Sequence, residues 1–392
     1  MENQFLKITN ANVITPSGIR KNASLVVENG QIKEITDRNV EINDALVIDA
    51  KGMYVAPGCI DTHVHGGGGH DFTEVTEEAF IEASLAHARG GMTAIYPTIG
   101  ASHISLMWDA IRVCESVMSQ PVKSARIMGL HLEGNYLNKV MCGGQKTEHL
   151  YDPDKEEYSE ILRSTNCVKR WSAAPELPGA LEFGRYASER GVVVSLAHTV
   201  ADYPLVTEAF KSGYTHATHF YNAMTCVHKK GMYKTEGTIE SIYLTEDMTV
   251  ELVADGIHVP PSILKLVHKY KGAEKISLIT DAMAAAGDNG TGKDIYGGRS
   301  IIENGAYILA DHSALAGSIA TANMLMRTMI TKAGISLEDT VRMASEAPAR
   351  VMNVFDRKGS LEKGKDADII IFDDQINILA TIVEGHIIYN TL

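Results

Sequence analysis

Two histidines one residue apart, His63 and His65, close the run Ala56-Pro57-Gly58-Cys59-Ile60-Asp61-Thr62-His63-Val64-His65, and four glycines, Gly66 to Gly69, follow. In an extended strand alternate side chains share a face, so both imidazoles point the same way while Thr62 and Val64 point the other. That arrangement can chelate a metal ion. A single His-x-His is matched equally well by two unrelated histidines near a turn, so residues further along the chain decide. They are His131-Leu132-Glu133-Gly134, Ala197-His198-Thr199, Thr218-His219-Phe220-Tyr221-Asn222-Ala223-Met224, Ala254-Asp255-Gly256-Ile257-His258 and Thr280-Asp281-Ala282-Met283. His63, His65, His198 and His219 with Glu133 form a donor set for a divalent metal, zinc foremost, although iron, manganese and cobalt take the same ligands. Asp281 reads either as a further ligand or as a proton carrier, and the two roles are compatible.

Each of these groups ends a short apolar run. Eight such runs, near 59–65, 93–97, 127–131, 168–174, 192–198, 215–220, 248–254 and 275–281, alternate with helix-like stretches such as 76–89, 104–118, 181–190, 204–211 and 262–270. Eight strand-helix repeats predict an α/β fold, a closed (β/α)8 TIM-like barrel, whose active sites form at the C-terminal rim of the strands. Taken singly, His198 or His219 reads as a hydrogen-bonded strand-end histidine and Glu133 as the partner of an arginine; their joint placement on one rim favours a metal centre. Helices near 321–333 and 337–354 complete the barrel. Before residue 55 and after residue 355 the pattern changes to short alternating strands with tight turns at Glu28-Asn29-Gly30-Gln31 and Glu384-Gly385-His386. The expectation is a small β-sandwich built from both termini, 1–55 with 355–392, and a continuous barrel insert, 56–354.

Composition excludes other classes. A formal net charge of −13 argues against nucleic acid as a partner. The start lacks a signal peptide's basic flank and apolar core, and no window holds the roughly 18 uninterrupted apolar residues of a membrane span, so a cytoplasmic protein with no membrane contact is expected. Cys59, Cys114, Cys142, Cys167 and Cys226 show no C-x-x-C spacing and suit free thiols in a reducing compartment. His87, His103, His149, His268, His312 and His386 fall on helical, loop or terminal stretches, where solvated or structural roles are expected. His131 and His216 lie close enough to ligand candidates to support them.

Together the segments Pro57-Gly58-x-Ile60-Asp61-x-His63-x-His65-Gly66, His131-Leu132-Glu133-Gly134, Ala174-Pro175-Glu176, Thr218-His219-Phe220-Tyr221-Asn222-Ala223-Met224, Ala254-Asp255-Gly256-x-His258-Val259 and Leu315-Ala316-Gly317-Ser318 resemble the amidohydrolase superfamily and, within it, the N-acetylglucosamine-6-phosphate deacetylases. The resemblance runs from about residue 5 to the tail. It implies amide hydrolysis in which Glu133, His198 and His219 hold one ion, His63 and His65 help to hold a second, and Asp281 carries the proton. It also implies that Asn222, Ala223, His258 and the Leu315-Ala316-Gly317 turn surround a sugar phosphate, and that the protein is a homodimer.

Three departures bear on the substrate. Asn135 replaces a usual proline, and Met141-Cys142-Gly143-Gly144-Gln145 replaces a basic run ending in Gly-x-His, which leaves Gly144 and Gln145 at substrate-contacting positions. Lys234 stands where the family has a phosphate-binding arginine, keeping the charge without the bidentate fork. Deacetylation of an N-acetylhexosamine 6-phosphate is the leading expectation. A different or non-phosphorylated N-acetyl sugar is the alternative, with another amidohydrolase activity, such as that of a D-aminoacylase or a cyclic-amide hydrolase, ranked lower. The cyclic-amide group places a carboxylated lysine at the end of the fourth strand, whereas Lys169 lies at its start. A barrel that only senses its ligand is the non-enzymatic reading.

Overall fold

The computed structural model describes residues 5–37, 41–287 and 300–392. Residues 1–4 and 38–40 of the expected small domain, and 288–299 of the expected barrel insert, lie outside the described residues. Eight parallel strands follow one another in chain order: Cys59–Val64, Met92–Gly100, Leu130–Glu133, Val168–Ala173, Val193–Leu196, Tyr214–Ala217, Thr249–Val253 and Ile276–Ile279. Each pairs with the next. They are buried almost throughout, as parallel strands covered on both faces must be.

Among the described residues no strand ladder joins the eighth strand to the first, and the ring is closed there by other bonds. Thr280 Oγ1 donates to Asp61 Oδ2 at 2.5 Å, the Asp281 N–H to the His63 carbonyl at 2.9 Å, and the His65 N–H to the Ala282 carbonyl at 2.8 Å. The seam of the barrel is therefore tied by residues adjoining the site.

Helices cover the outside. Glu77–Arg89 is capped by Thr76, Tyr203–Lys211 by Asp202 with proline in its first turn, and Lys155–Ser164 by Asp154. The last of these is absent from the sequence expectation, because its Lys-Glu-Glu opening masks the apolar stripe of Tyr158, Ile161 and Leu162. The expected helix over 337–354 is a composite: Leu337–Val341, a π turn at Arg342–Glu346, and Ala347–Val351. Strands five, six and eight end earlier than the apolar runs do. His198, His219 and Asp281 take left-handed backbone angles, φ 44°, 29° and 48°, which end the ladder before the functional side chain.

The termini share one sheet, in the order His386–Asn390, Ile378–Val383, Ile369–Phe372, Tyr54–Pro57, Phe5–Thr15, Gly18–Glu28, Gln31–Thr36, with Leu46–Asp49 paired to Phe5–Thr15. Ile369 lies opposite Pro57, so this sheet reaches two residues past position 55. The two tight turns pack on each other. A Cβ at Gly30 would lie 2.7 Å from the Glu384 carbonyl, and one at Gly385 would lie 2.7 Å from Gly30 Cα, so both positions demand glycine.

Sheet and barrel are joined by a buried charge cluster. Lys358, fully buried, bonds Asp368 at 2.7 Å and Glu384 at 3.3 Å, and Arg126 on the barrel side reaches Glu384 at 2.7 Å. Burial raises the Glu384 carboxyl, but the Arg126 hydrogen bond and the charges of Lys358 and Arg126 outweigh it and hold it at about 2. A carboxyl depressed in the folded state stabilises above its unfolded value and loses that contribution as pH falls from about 4.5 towards 2. Thermal melts across this range should show a shallower acid decline for Glu384→Gln than for the native chain; parallel curves would remove the assignment. Lys358→Met, which strands the carboxylates, should cost about 3–5 kcal/mol in denaturant unfolding.

Candidate metal centre

The strand ends bring His63, His65, Glu133, His198, His219 and Asp281 to one point on the rim. Glu133 occupies its middle. Its Oε1 lies 3.1 Å from His198 Nε2 and 3.0 Å from His219 Nε2, and its Oε2 lies 3.5 Å from His63 Nε2 and 3.3 Å from His65 Nε2. Asp281 Oδ1 stands 3.3 Å from His65 Nε2 and 3.5 Å from His63 Nε2. Two donor groups result, His63-His65-Glu133 and Glu133-His198-His219, sharing the one carboxylate.

The chemistry of these donors fits a cation. His198 Nδ1 faces the Met141 carbonyl at 2.6 Å, an acceptor, so it carries the proton and leaves Nε2 a bare lone pair. That lone pair points at His219 Nε2, 3.1 Å away, and at a carboxylate oxygen. Nitrogen and carboxylate atoms this close need positive charge among them, supplied by protons in the bare protein or by a bound cation. Burial pulls the His63 imidazole down, yet the charges of Glu133 and Asp281 hold it up at about 9. Burial raises Glu133, yet His63 and the hydrogen bonds of its neighbours keep it well below the usual carboxylate range.

A cavity of about 860 Å³ opens over the centre and is lined by His65, Glu133, His198, His219 and Asp281 together with Gly144, Gln145, Asn222, Ala223, His258, Leu315, Ala316 and Gly317. His258 donates through Nδ1–H to Asp255 Oδ2 at 2.6 Å, while its Nε2 has no partner among the described residues. Gln145 holds Glu133: its amide nitrogen donates to Glu133 Oε2 at 2.8 Å, and its oxygen accepts from the Ala101 N–H at 2.8 Å. Lys234 is not brought to the cavity. It lies on an exposed hairpin, His228–Lys230 with Tyr233–Thr235, outside the lining residues of its own chain. His103 and His149, set aside in the sequence, do line the cavity, as does Lys146. His131 packs edge-on against His63 with centroids 4.7 Å apart and bonds Ser172 Oγ and Thr98 Oγ1, as a supporting rather than a chelating residue. Lys169 stands at the start of the strand Val168–Ala173, its side chain against Gly129, at the end of the strand away from the rim.

Sequence reasoning missed Arg170 and Glu251, a buried ion pair inside the barrel directly behind His63. Their signal was charge within the apolar runs Val168–Ala173, where Arg170 follows Lys169, and Thr249–Val253, where Glu251 stands alone. It also missed the sheet of Ser300–Glu303, Ala306–Leu309 and Leu315–Ser318, whose last strand receives the Asp281 loop: Ser318 N–H donates to the Asp281 carbonyl at 2.8 Å.

The chain belongs to the amidohydrolase family, whose model matches residues 54–388. Within that family it is similar to the N-acetylglucosamine-6-phosphate deacetylase of Bacillus subtilis (strain 168), 31% identical over 98% of each chain. It is 32% identical to that of Homo sapiens over 87% of this chain and 85% of the other. The solved N-acetylglucosamine-6-phosphate deacetylase from Pasteurella multocida superposes with a TM-score of 0.91 at 26% identity, covering 98% of this chain and all (100%) of the other. A Mycobacterium smegmatis mutant enzyme in complex with N-acetyl-D-glucosamine-6-phosphate does so at 0.87 and 26%, covering 99% and 100%. The chain is thus a metal-dependent hydrolase, and its family implies a divalent ion. Among the described residues no helix is long and apolar enough to cross a membrane.

Gly317, at φ 114°, gives a direct check on the loop that presents Asp281. A Cβ there would lie 2.6 Å from the Met283 side chain and 3.1 Å from the Asp281 carbonyl. Gly317→Ala should cost about 1–3 kcal/mol in thermal unfolding; an unchanged melting curve would show that the loop is not fixed by this contact.

Proposed function

We propose that the chain hydrolyses the acetamide of an N-acetylhexosamine 6-phosphate, foremost N-acetylglucosamine 6-phosphate, to the amino-sugar phosphate and acetate, a step of amino-sugar catabolism. The observation that carries this is the sharing of Glu133 between two histidine pairs with Asp281 beside them on the floor of a sugar-sized cavity. The similarity to deacetylases over the whole chain supports the substrate. Glu133, His198 and His219 would hold the primary ion and His63 and His65, with Glu133, a second; zinc is the ion we assign. When bound, it supplies Lewis acidity that polarises the amide carbonyl and steadies negative charge on its oxygen.

The chain's own groups do the rest. Burial raises the Asp281 carboxyl, but His63 and the hydrogen bond from His65 outweigh it and keep it below its usual value, so it stands ionised as a base. It takes a proton from the attacking water as the water oxygen bonds to the acetyl carbon. It then delivers that proton to the departing nitrogen as the C–N bond breaks, leaving acetic acid and the amine, which at neutral pH become acetate and ammonium. His258, fixed by Asp255, offers its free Nε2 to the sugar. Asn222, Ala223 and Leu315 to Gly317 shape the walls, with Gly144 packed on Ala316. Lys234 reaches the phosphate from the second copy in a homodimer; the exposed Met232 and Tyr233 beside it, 83% and 73% accessible, suit that contact. We assign the barrel to 56–354 and the small domain to 1–55 with 355–392, its sheet borrowing Ala56 and Pro57 from the start of the barrel segment, and place the protein in the cytoplasm, in keeping with five free cysteines.

Acetate release should be measured on N-acetylglucosamine and N-acetylgalactosamine, each with and without the 6-phosphate. N-acetylglucosamine 6-phosphate should be the best substrate; activity confined to the unphosphorylated sugars would refute the phosphate reading. Asp281→Asn should lower kcat about 10²–10⁴-fold with zinc content nearly intact, and normal turnover would remove Asp281 as proton carrier. Lys234→Ala should raise KM for the phosphorylated sugar about tenfold; the same effect from Lys146→Ala instead would place the phosphate grip inside one chain.

A further inference from the structure

We propose that Glu251, locked by Arg170, is the positioning residue that makes His63 a metal ligand, and that this pair determines whether a second ion joins the first. The inference rests on the metal reading of the centre. Both side chains are fully buried between the fourth and seventh strands. Buried ion pairs are weak stabilisers, because desolvation offsets their attraction, so stability alone does not explain an Arg and a Glu inside this barrel. Their geometry does.

All five N–H groups of Arg170 are used. Nε donates to Ser195 Oγ at 2.9 Å, Nη1 to the Thr62 carbonyl at 3.1 Å and to Glu251 Oε1, and Nη2 to Thr218 Oγ1 at 2.8 Å and to Glu251 Oε2 at 2.9 Å. A guanidinium so bound cannot swing, and it keeps the Glu251 carboxylate ionised and fixed. Thr62 Oγ1 donates to Glu251 Oε1 at 2.6 Å, and the His219 backbone N–H to Oε2 at 3.3 Å. An ionised carboxylate only accepts, so His63 Nδ1, 3.3 Å from Oε2, must carry the imidazole proton. In the neutral imidazole Nε2 is then the lone pair, directed at a space bounded by His65 Nε2 at 3.2 Å and by Glu133 Oε2 and Asp281 Oδ1, both at 3.5 Å; without an ion the two carboxylates favour a second proton there, which a bound cation would replace. His131, edge-on to the ring, blocks a flip.

Of the other imidazoles, His198 leans on a backbone carbonyl, His219 Nδ1 has no partner among the described residues, and His65 lies near the buried Asp71 carboxylate. The His63 arm is the one tied to a carboxylate that an arginine locks in place. Glu251 also holds the backbone of His219, so one carboxylate references both halves of the centre to each other.

Two double variants separate positioning from folding, because each removes the charged pair as a unit. Arg170→Met with Glu251→Gln leaves a carbonyl to accept the His63 Nδ1–H; Arg170→Met with Glu251→Leu leaves none. Zinc bound per chain is read by elemental analysis across buffered free-zinc concentrations, with melting curves and near-ultraviolet circular dichroism as the folding control. The native chain should bind two ions. The glutamine variant should keep the second ion within a few-fold, and the leucine variant should bind it about 10–100-fold more weakly while retaining the first. Equal second-ion affinity in both variants overturns the proposal, as does a native chain that saturates at one ion; a native chain that takes no zinc at all removes the metal reading beneath it. Should the variants fail to fold, a long-range ¹H–¹⁵N correlation spectrum of the native zinc form decides: a proton on His63 Nδ1 supports the assignment, and a proton on Nε2 overturns it.

Discussion

Histidine nitrogens and carboxylate oxygens forced together govern this molecule. Glu133 presents one oxygen to His198 and His219 and the other to His63 and His65, at separations of 3.0–3.5 Å. Two of the imidazole protons are directed away from it, to the Met141 carbonyl by His198 and to Glu251 by His63. Donors so arranged have a strong preference for a central positive charge. The remaining architecture serves to hold them there.

A parallel barrel suits that task because its strands all end on the same rim. The price is local backbone strain: His198, His219, Tyr221, Ala223 and Asp281 all take positive φ, a region costly for residues with a Cβ. That strain is borne by a buried network in the barrel interior, Arg170 and Glu251 with Thr62, Ser195 and Thr218, and by the seam bonds around Asp61 and Thr280. The interior of this barrel is thus a polar scaffold under the metal centre as well as a packed core.

The fold and the donor set were both legible in the sequence, because strand-end motifs repeat at barrel spacing and histidine and glutamate at such ends have few structural explanations. Other features were hidden for physical reasons. Arg170 and Glu251 each occupy one position of a buried strand, where period-two alternation makes an inward charge look like an outward one. The helix Lys155–Ser164 opens with charged residues that conceal its buried face. Gln145, placed at the substrate by resemblance to the family's Gly-x-His run, lines the cavity and also bonds Glu133, an engagement that spacing does not reveal. Spacing put Lys234 at the phosphate, but linear spacing does not show that its hairpin stands exposed, outside the lining of the cavity.

The central claim concerns where a cation resides, and anomalous scattering measures that most directly. Diffraction data collected above and below the zinc absorption edge, from crystals of the zinc-loaded protein, should give an anomalous peak within bonding distance of Glu133, His198 Nε2 and His219 Nε2. A fully occupied structure with no peak there, and zinc found only at surface histidines, would contradict the account.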